Sequence, residues 1–430
     1  MRRKALMEDA MIDSMTANPP LVKDFFLGRQ PILNREQSLF AYELLFRSAK
    51  TAGTTVEDDL SATASVISHA NELGMEQVIG DRIGFINVDA AVLMSDFVQV
   101  LQPKKVMLEI LETVKATPEL LARIVQLQQL GYRFALDDVI HDTPDVQQFL
   151  PLVEVVKIDI MGMPMSQLAG LNARFKGMKK KTLAEKVETQ LEFEQCLDFG
   201  FDYFQGYYFA KPVIFSGKKI APSELAILQL LGLINSDADN AVIERNIKQD
   251  ATLSLNLLRL VNTPAAGAKS RIDTLGQALA ILGRRQLQRW LQILLYAKPS
   301  KAGSFASPLL QMATTRGKLL ELMALKLQPG NRTAGETAFM VGIMSLMDVL
   351  FQMPMEEVLT KLVVAPEVSD ALLYRRGWYG DMLKLAEYNE YIDSTLALLR
   401  PTLDRLHLTI EQWFRLQLEV FEWVAQISRA

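Results

Sequence analysis

Between residues 23 and 212 the chain repeats one pattern, a short β-branched or aromatic run followed by a longer amphipathic segment. The runs are "FFLGRQPIL", "IGFINVDA", "KVMLEIL", "YRFALDDV", "VEVVKIDI", "KTLAEKVE" and "DYFQGYYFA". A segment between them, "TPELLARIVQLQQLG", opens on Thr117 and closes on Gly131. Thr can accept from the first helical amides, and Gly lets the chain turn away at the end. Strand and helix alternating every ~20–30 residues mark a βα-repeat domain. Roughly 190 residues with seven or eight strands predict a compact barrel of the TIM type or a doubly wound sheet.

The pattern stops after "AKPVIFSGKKIAPSE", where Pro212, Gly217 and Pro222 break periodicity. Beyond it the text is helical: "ELAILQLLGLI", "LSLNLLRLVN", "LGQALAILGRRQLQRWLQILLYA", "EQWFRLQLEVFEWVAQI". An all-α array of about nine to twelve helices is expected there. The expected units are an N-terminal extension over 1–22, a barrel over 23–215, a linker over 216–223 and a helical domain over 224–430.

A net charge of −4 provides no global basic field for nucleic acid or anionic membrane. The single cysteine, Cys196, excludes an intramolecular disulfide framework and a thiolate zinc cluster, and a reducing cytoplasm is the expected compartment. Glu8, Asp9 and Asp13 interrupt the apolar run that a signal peptide needs. The best membrane candidate, "AFMVGIMSLM", is followed by Asp348 and falls short of the ~18 residues a span requires.

The stretch "AYELLFRS", residues 41–48, admits two readings. As a helix it pairs Glu43 with Arg47 at i and i+4 on a surface. As a strand it puts both on one face with Leu45, near a core, where charges persist only with partners, a metal or a ligand. The other strand ends favour the second reading. They carry Asn87 and Asp89, Glu109 and Glu112, Asp137 and Asp138, Lys157 and Asp159, Glu185 and Glu188, and Gln205. Any one such acid is ordinarily a helix cap. Six strand ends dominated by carboxylates and amides, with one cation and no histidine, are not. Converging carboxylates repel unless a cation neutralises them. An oxygen-only donor set suits Mg²⁺ or Mn²⁺, and such ions support in-line phosphoryl displacement. The residues therefore point to a metal-dependent phosphoester hydrolase.

"YELLFR" resembles the E-x-L-x-R signature of EAL domains, the bacterial cyclic di-GMP phosphodiesterases. "RQPIL", "FINVD", "LEILE", "ALDD", "VVKID", "AEKVE" and "FQGYYFAKP" continue the likeness in order across residues 23–215. It implies a modified TIM barrel that hydrolyses cyclic di-GMP to pGpG. By matching positions it implies metal ligation by Glu43, Asn87, Glu109, Asp137 and Asp138. Lys157 would orient or polarise the attacking water, Glu185 would act as general base, and Glu188 would be its partner in supporting the metal or the lysine. Gln30, Arg47 and Gln205 would contact substrate, and Glu112 would steady the loop after Asp138. A homodimer through the barrel is a family expectation.

Two departures stand out. The family's D-D-F-G-T-G loop reads "DDVIHD", and its E-G-V-E reads "EKVE", with Lys186 in place of glycine. The helical half resembles the HDOD domain, a non-catalytic relative of HD phosphohydrolases. Ser345 and Leu346 stand where an HD enzyme carries His-Asp, and His407 is the one histidine in that half. This half is expected to bind a protein partner or to regulate. "GRRQLQRW" is expected to be a solvated helix face around one buried tryptophan, Trp290. An intact ligand set implies a working phosphodiesterase; the altered loop implies instead a degenerate barrel that binds the nucleotide or serves as a scaffold.

Overall fold

The computed structural model describes residues 25–48, 75–210, 222–266, 271–296, 307–360, 362 and 364–428. The expected N-terminal extension and most of the expected linker lie outside these residues. Eight strands close into a barrel in sequence order: β1 (Phe25–Asn34), β2 (Leu39–Ser48), β3 (Ile83–Val88), β4 (Val106–Ile110), β5 (Phe134–Leu136), β6 (Val155–Asp159), β7 (Lys181–Glu185) and β8 (Tyr203–Gln205). This is the expected barrel rather than a doubly wound sheet. β1 runs antiparallel to both β2 and β8, whereas every other pairing is parallel. The link between β1 and β2 forces that reversal, because a parallel crossover needs a dozen residues or more. Asn34 instead makes a tight turn, its side chain accepting from the amides of Glu36 and Ser38 while Gln37 takes φ 56°.

Helices cover the outside of the barrel. Helix Pro118–Gln129 begins as its sequence requires, with Thr117 accepting from the Leu120 amide, and Gly131 follows it at φ 93°. Its buried face is Leu120, Ile124 and Leu127, a 3–4 spacing that stacks one stripe on the barrel. Each such side chain contributes ~1.5–3 kcal/mol on burial.

The C-terminal half is all-helical from Pro222–Asn235 to Ile410–Ser428, with helix Leu275–Tyr296 broken at Gly283. Trp290 is buried in that broken helix, as expected, but Arg289 is not solvated: it makes a two-pronged bond to Glu321 and lies over Phe339. The run Arg332–Phe351 is apolar over a longer window than "AFMVGIMSLM" suggests, and 72% of that window is buried in the helical core.

The two halves interlock at the β1–β2 hairpin. Phe26 and Leu45 belong to the helical core, and Phe414 and Phe421 of the last helix belong to the barrel core. Gln417 Nε2 donates to the Leu27 carbonyl at 2.9 Å. Arg29 lies between the rings of Tyr42 and Phe421, 4.0 and 3.8 Å from their centroids, and donates to the Val78 carbonyl. Gly28 admits Ile392 so closely that a β-carbon would lie 2.8 Å from its Cγ2.

Candidate active site

Ile32, Ala41, Phe85, Met107, Ala135, Val155 and Leu183 fill the barrel as one apolar layer. A side chain two positions along a strand returns to the same face. One step toward the mouth therefore come Glu43, Asn87, Glu109, Asp137, Lys157 and Glu185, with Gln30 counted backward on the reversed β1. Gln205 joins them from the end of β8, opposite Ile32. Register aligns part of the ring: Gln30 faces Glu43 and Asn87 faces Glu109, whereas Lys157 lies one step below Glu185, opposite Leu183. Glu43 itself is mid-strand rather than at a strand end. The β2–β3 ladder stops at Leu44, so Glu43 reaches the mouth while β2 continues past it, paired only with β1.

Lys157 organises this ring. Its Nζ is 2.7 Å from Asp137 Oδ1, 2.8 Å from Glu109 Oε1, 2.9 Å from Glu185 Oε1 and 3.3 Å from Glu43 Oε2, with its side chain 1% exposed. An ammonium has three protons and cannot bond four carboxylates at once. Burial works against its charge, but the four carboxylates outweigh burial and hold Lys157 well above the ordinary lysine range. Burial also opposes ionisation of Glu43. There Lys157, Gln205 Nε2 at 2.5 Å and Asn87 Nδ2 at 3.2 Å prevail, and its carboxyl lies below the usual range. The other three move up. Burial and the neighbouring carboxylates raise Glu109 well above its ordinary value, raise Asp137, and push Glu185 up to about 8.

Several oxygens in this ring find no donor: Asn87 Oδ1, Glu109 Oε2, Glu185 Oε2 and Gln205 Oε1. Glu109 Oε1 has Lys157 Nζ at 2.8 Å as its ion-pair partner, whereas Oε2 has none. A buried acceptor left unpaired costs ~1–3 kcal/mol. Hard, buried oxygens that converge without donors fit a divalent cation of the Mg²⁺ or Mn²⁺ kind. A second group lies further out, where oxygens of Glu112, Asp137 and Asp138 come within 4.8 Å of one another. Glu112, expected to steady the loop, thus stands beside two expected ligands.

The remaining site residues spread outward. Gln30 Oε1 accepts from Gln205 Nε2 at 2.9 Å. Arg47 is half-buried beyond Glu43 on the same strand, opposite Phe26. Glu188 is exposed after β7, its amide donating to Glu192, and it is not among the carboxylates around Lys157. In the "DDVIHD" loop the strained residue is Asp138, at φ 43°; Ile140 and Asp142, where the family has glycine, do not take positive φ. Val139 anchors the loop by donating to the Lys157 carbonyl at 3.0 Å. Lys186 bonds Asp138 and Asp159 at 3.3 and 2.6 Å. The sequence marks Lys186 as unusual, but only the fold provides these partners.

Gly206, after Gln205, sits at φ 142° with its backbone against Val187, where a β-carbon would meet the Val187 carbonyl oxygen at 2.1 Å. Gly206→Ala is expected to lower stability by ~2–4 kcal/mol through overpacking and backbone strain. Urea unfolding checks this; a variant within 0.5 kcal/mol of wild type, roughly the effect of a surface change, would contradict the packing described.

In the helical half, the Ser345 hydroxyl accepts from Arg316 at 3.0 Å and donates to the Gly342 carbonyl at 2.7 Å. Arg316 also forks onto Glu390 at 2.8 and 2.6 Å. An internal ion network thus holds Ser345.

Residues 21–212 match the EAL domain family, and residues 223–364 match the HDOD domain family. The cyclic di-GMP phosphodiesterase CdgJ of Vibrio cholerae is 32% identical over 397 residues, covering 91% of this chain and 88% of that protein. The uncharacterised protein YuxH of Bacillus subtilis is 30% identical over 415 residues, covering 94% of this chain and 99% of that protein. Among solved structures, the Bacillus subtilis YkuI protein, with an EAL domain, in complex with cyclic di-GMP and calcium, matches at TM-score 0.38 and 18% identity. That match covers 56% of this chain and 74% of that one. The chain belongs to the EAL domain family, with an HDOD domain following its barrel.

Proposed function

We propose that the barrel hydrolyses cyclic di-GMP to pGpG with Mg²⁺ or Mn²⁺, and that the helical half is a non-catalytic regulatory or protein-binding domain. The observation that carries this reading is the buried ring of four carboxylates about Lys157, with unpaired oxygens converging at the barrel mouth. Glu43, Asn87, Glu109 and Asp137 would hold one ion, and Asp138 would take part with them. Bound ions would neutralise charge on the phosphodiester and supply a nucleophilic water near neutral pH. Glu185 would act as general base once a bound cation has displaced the proton that burial and its neighbours make it hold. Lys157, held ionised, fixes the carboxylates at their spacing and orients the attacking water. Arg47 would meet a substrate phosphate with its planar fork, and Gln30 and Gln205 would line the substrate's approach. Glu188 would act from the rim, supporting the metal or Lys157.

The proposed units are 23–215 for the barrel and 224–430 for the helical domain, working in the cytoplasm, with a barrel-mediated homodimer. Purified protein incubated with cyclic di-GMP and Mn²⁺ or Mg²⁺ is expected to release pGpG, followed by chromatography. No product above background would sink the enzyme reading. The altered loop and Lys186 on Asp138 favour a second reading, a barrel that binds the nucleotide without turning it over. A thermal shift with cyclic di-GMP and Ca²⁺ in a protein that makes no pGpG would establish it.

Metal uptake should also release protons. Glu185 is pushed up to about 8, so near pH 7 it retains a proton that a cation would displace. Mn²⁺ titration calorimetry in buffers of different ionisation enthalpy is expected to show net release at pH 7 and less at pH 9. Equal heats in all buffers at pH 7 would contradict it.

A further inference from the structure

Lys186 occupies a costly position. It stands after β7 at φ 58°, where a β-carbon is disfavoured by ~1–2 kcal/mol, and Asp138, after β5, is bent to φ 43°. These two left-handed residues bring the Lys186 ammonium across β6 to 3.3 Å from Asp138 Oδ1 and 2.6 Å from Asp159 Oδ2. Asp159 is satisfied without a metal, since its other oxygen accepts from the Met161 amide at 2.8 Å. Asp138 is not so enclosed, and its carboxylate is shared with the outer group it forms with Glu112 and Asp137. The Lys186 side chain is 42% exposed, so it can swing into solvent without disturbing the core.

We propose that Lys186 is a tethered counter-cation of the outer carboxylate group. It holds Asp138 while no divalent ion is bound and must leave before one can use Glu112, Asp137 and Asp138 together. The inner ring, neutralised by Lys157, then loads first, and Lys186 sets the affinity of the outer group. This inference rests on the reading of the barrel mouth as a divalent-metal site. A glycine at 186 would carry neither the charge nor the backbone cost, so the substitution couples the two loops through one removable cation.

Metal-free full-length protein is to be titrated with MnCl₂, with unbound Mn²⁺ counted by its solution electron paramagnetic resonance signal. K186Q, which keeps side-chain length but not charge, is expected to tighten the weaker Mn²⁺ class by about tenfold or more, the scale of effects from groups around metal ligands. K186R should stay close to wild type. D138N in the K186Q background should remove the gain. Thermal melts without metal establish that each variant folds, and K186A offers a second uncharged variant. If Mn²⁺ binds wild type and both uncharged variants with equal affinity, the role of Lys186 is overturned and the metal reading stands. If Mn²⁺ binds none of them, both are overturned.

Discussion

Glu43→Gln is expected to cut pGpG formation by about a thousandfold or more, the scale seen when one member of an interdependent catalytic set is removed. The substitution keeps volume and burial, so the effect is chemical. Glu43 accepts from Lys157, Gln205 and Asn87, and it is the carboxylate that the surrounding donors keep ionised. An amide there must turn one NH₂ toward donors, losing a charge and at least one hydrogen bond together. A stability loss of ~1–3 kcal/mol should accompany it. Glu188→Gln is the contrast: exposed and not among the carboxylates around Lys157, it should lower turnover by only about ten- to a hundredfold, the scale of groups that support metal ligands. Steady-state pGpG release with saturating Mn²⁺ measures both. An E43Q protein that keeps a tenth of wild-type turnover would end the assignment of Glu43 as a ligand.

Why the ring was legible in the sequence, and where legibility stopped, follows from strand geometry. Ala41 and Glu43, Phe85 and Asn87, Met107 and Glu109, Ala135 and Asp137, Val155 and Lys157, Leu183 and Glu185 all stand two apart. Each pair places an apolar plug residue below a polar one on the same face, a local relation visible without a fold. Depth along the strand is not local. "AYELLFRS" appeared to end in Glu43 and Arg47, whereas β2 continues because β1 pairs with it beyond the point where β3 stops. The reversal of β1 had a signal that could have been used, the short turn after Asn34. Partners of charge were less accessible still. Lys157 meets Asp137 across 20 residues and Glu43 across 114, and no spacing encodes that. Lys186 was visible as an anomaly, but its bonds depend on three successive strand ends meeting at the mouth. That Phe414 and Phe421 of the last helix pack on the barrel depends on how the two cores interlock, which no local spacing encodes.

Lys157→Met should be the most damaging single change to the metal-free fold. It removes the one ammonium among four buried carboxylates and leaves an apolar chain of similar size, so the loss is electrostatic. Breaking a buried ion group by deleting one partner costs ~3–5 kcal/mol because the other charges stay buried and unpaired. The cost must depend on pH, with a definite sign. In the wild type Glu185 is pushed up to about 8 by burial and its neighbours, against roughly 4.3 for a solvated glutamate. The folded state thus holds a proton that the unfolded state has released between these values, and stability falls as pH rises through that window. Without Lys157 the carboxyls lose the interaction that favours their ionisation, so they hold protons to higher pH and the decline extends further upward. Urea unfolding without metal is expected to show a smaller K157M defect near pH 4.5, where folded Glu185 keeps its proton and needs no ammonium, and a larger defect near pH 8, where it ionises. Millimolar Mn²⁺ should return part of the loss at pH 8, because a divalent ion bound to the same oxygens supplies the missing positive charge. Turnover should remain absent even then, since no ammonium is left to orient the attacking water. A metal-free K157M protein as stable as wild type at pH 8 would mean that the four carboxylates do not need Lys157, and the electrostatic account of the ring would be wrong.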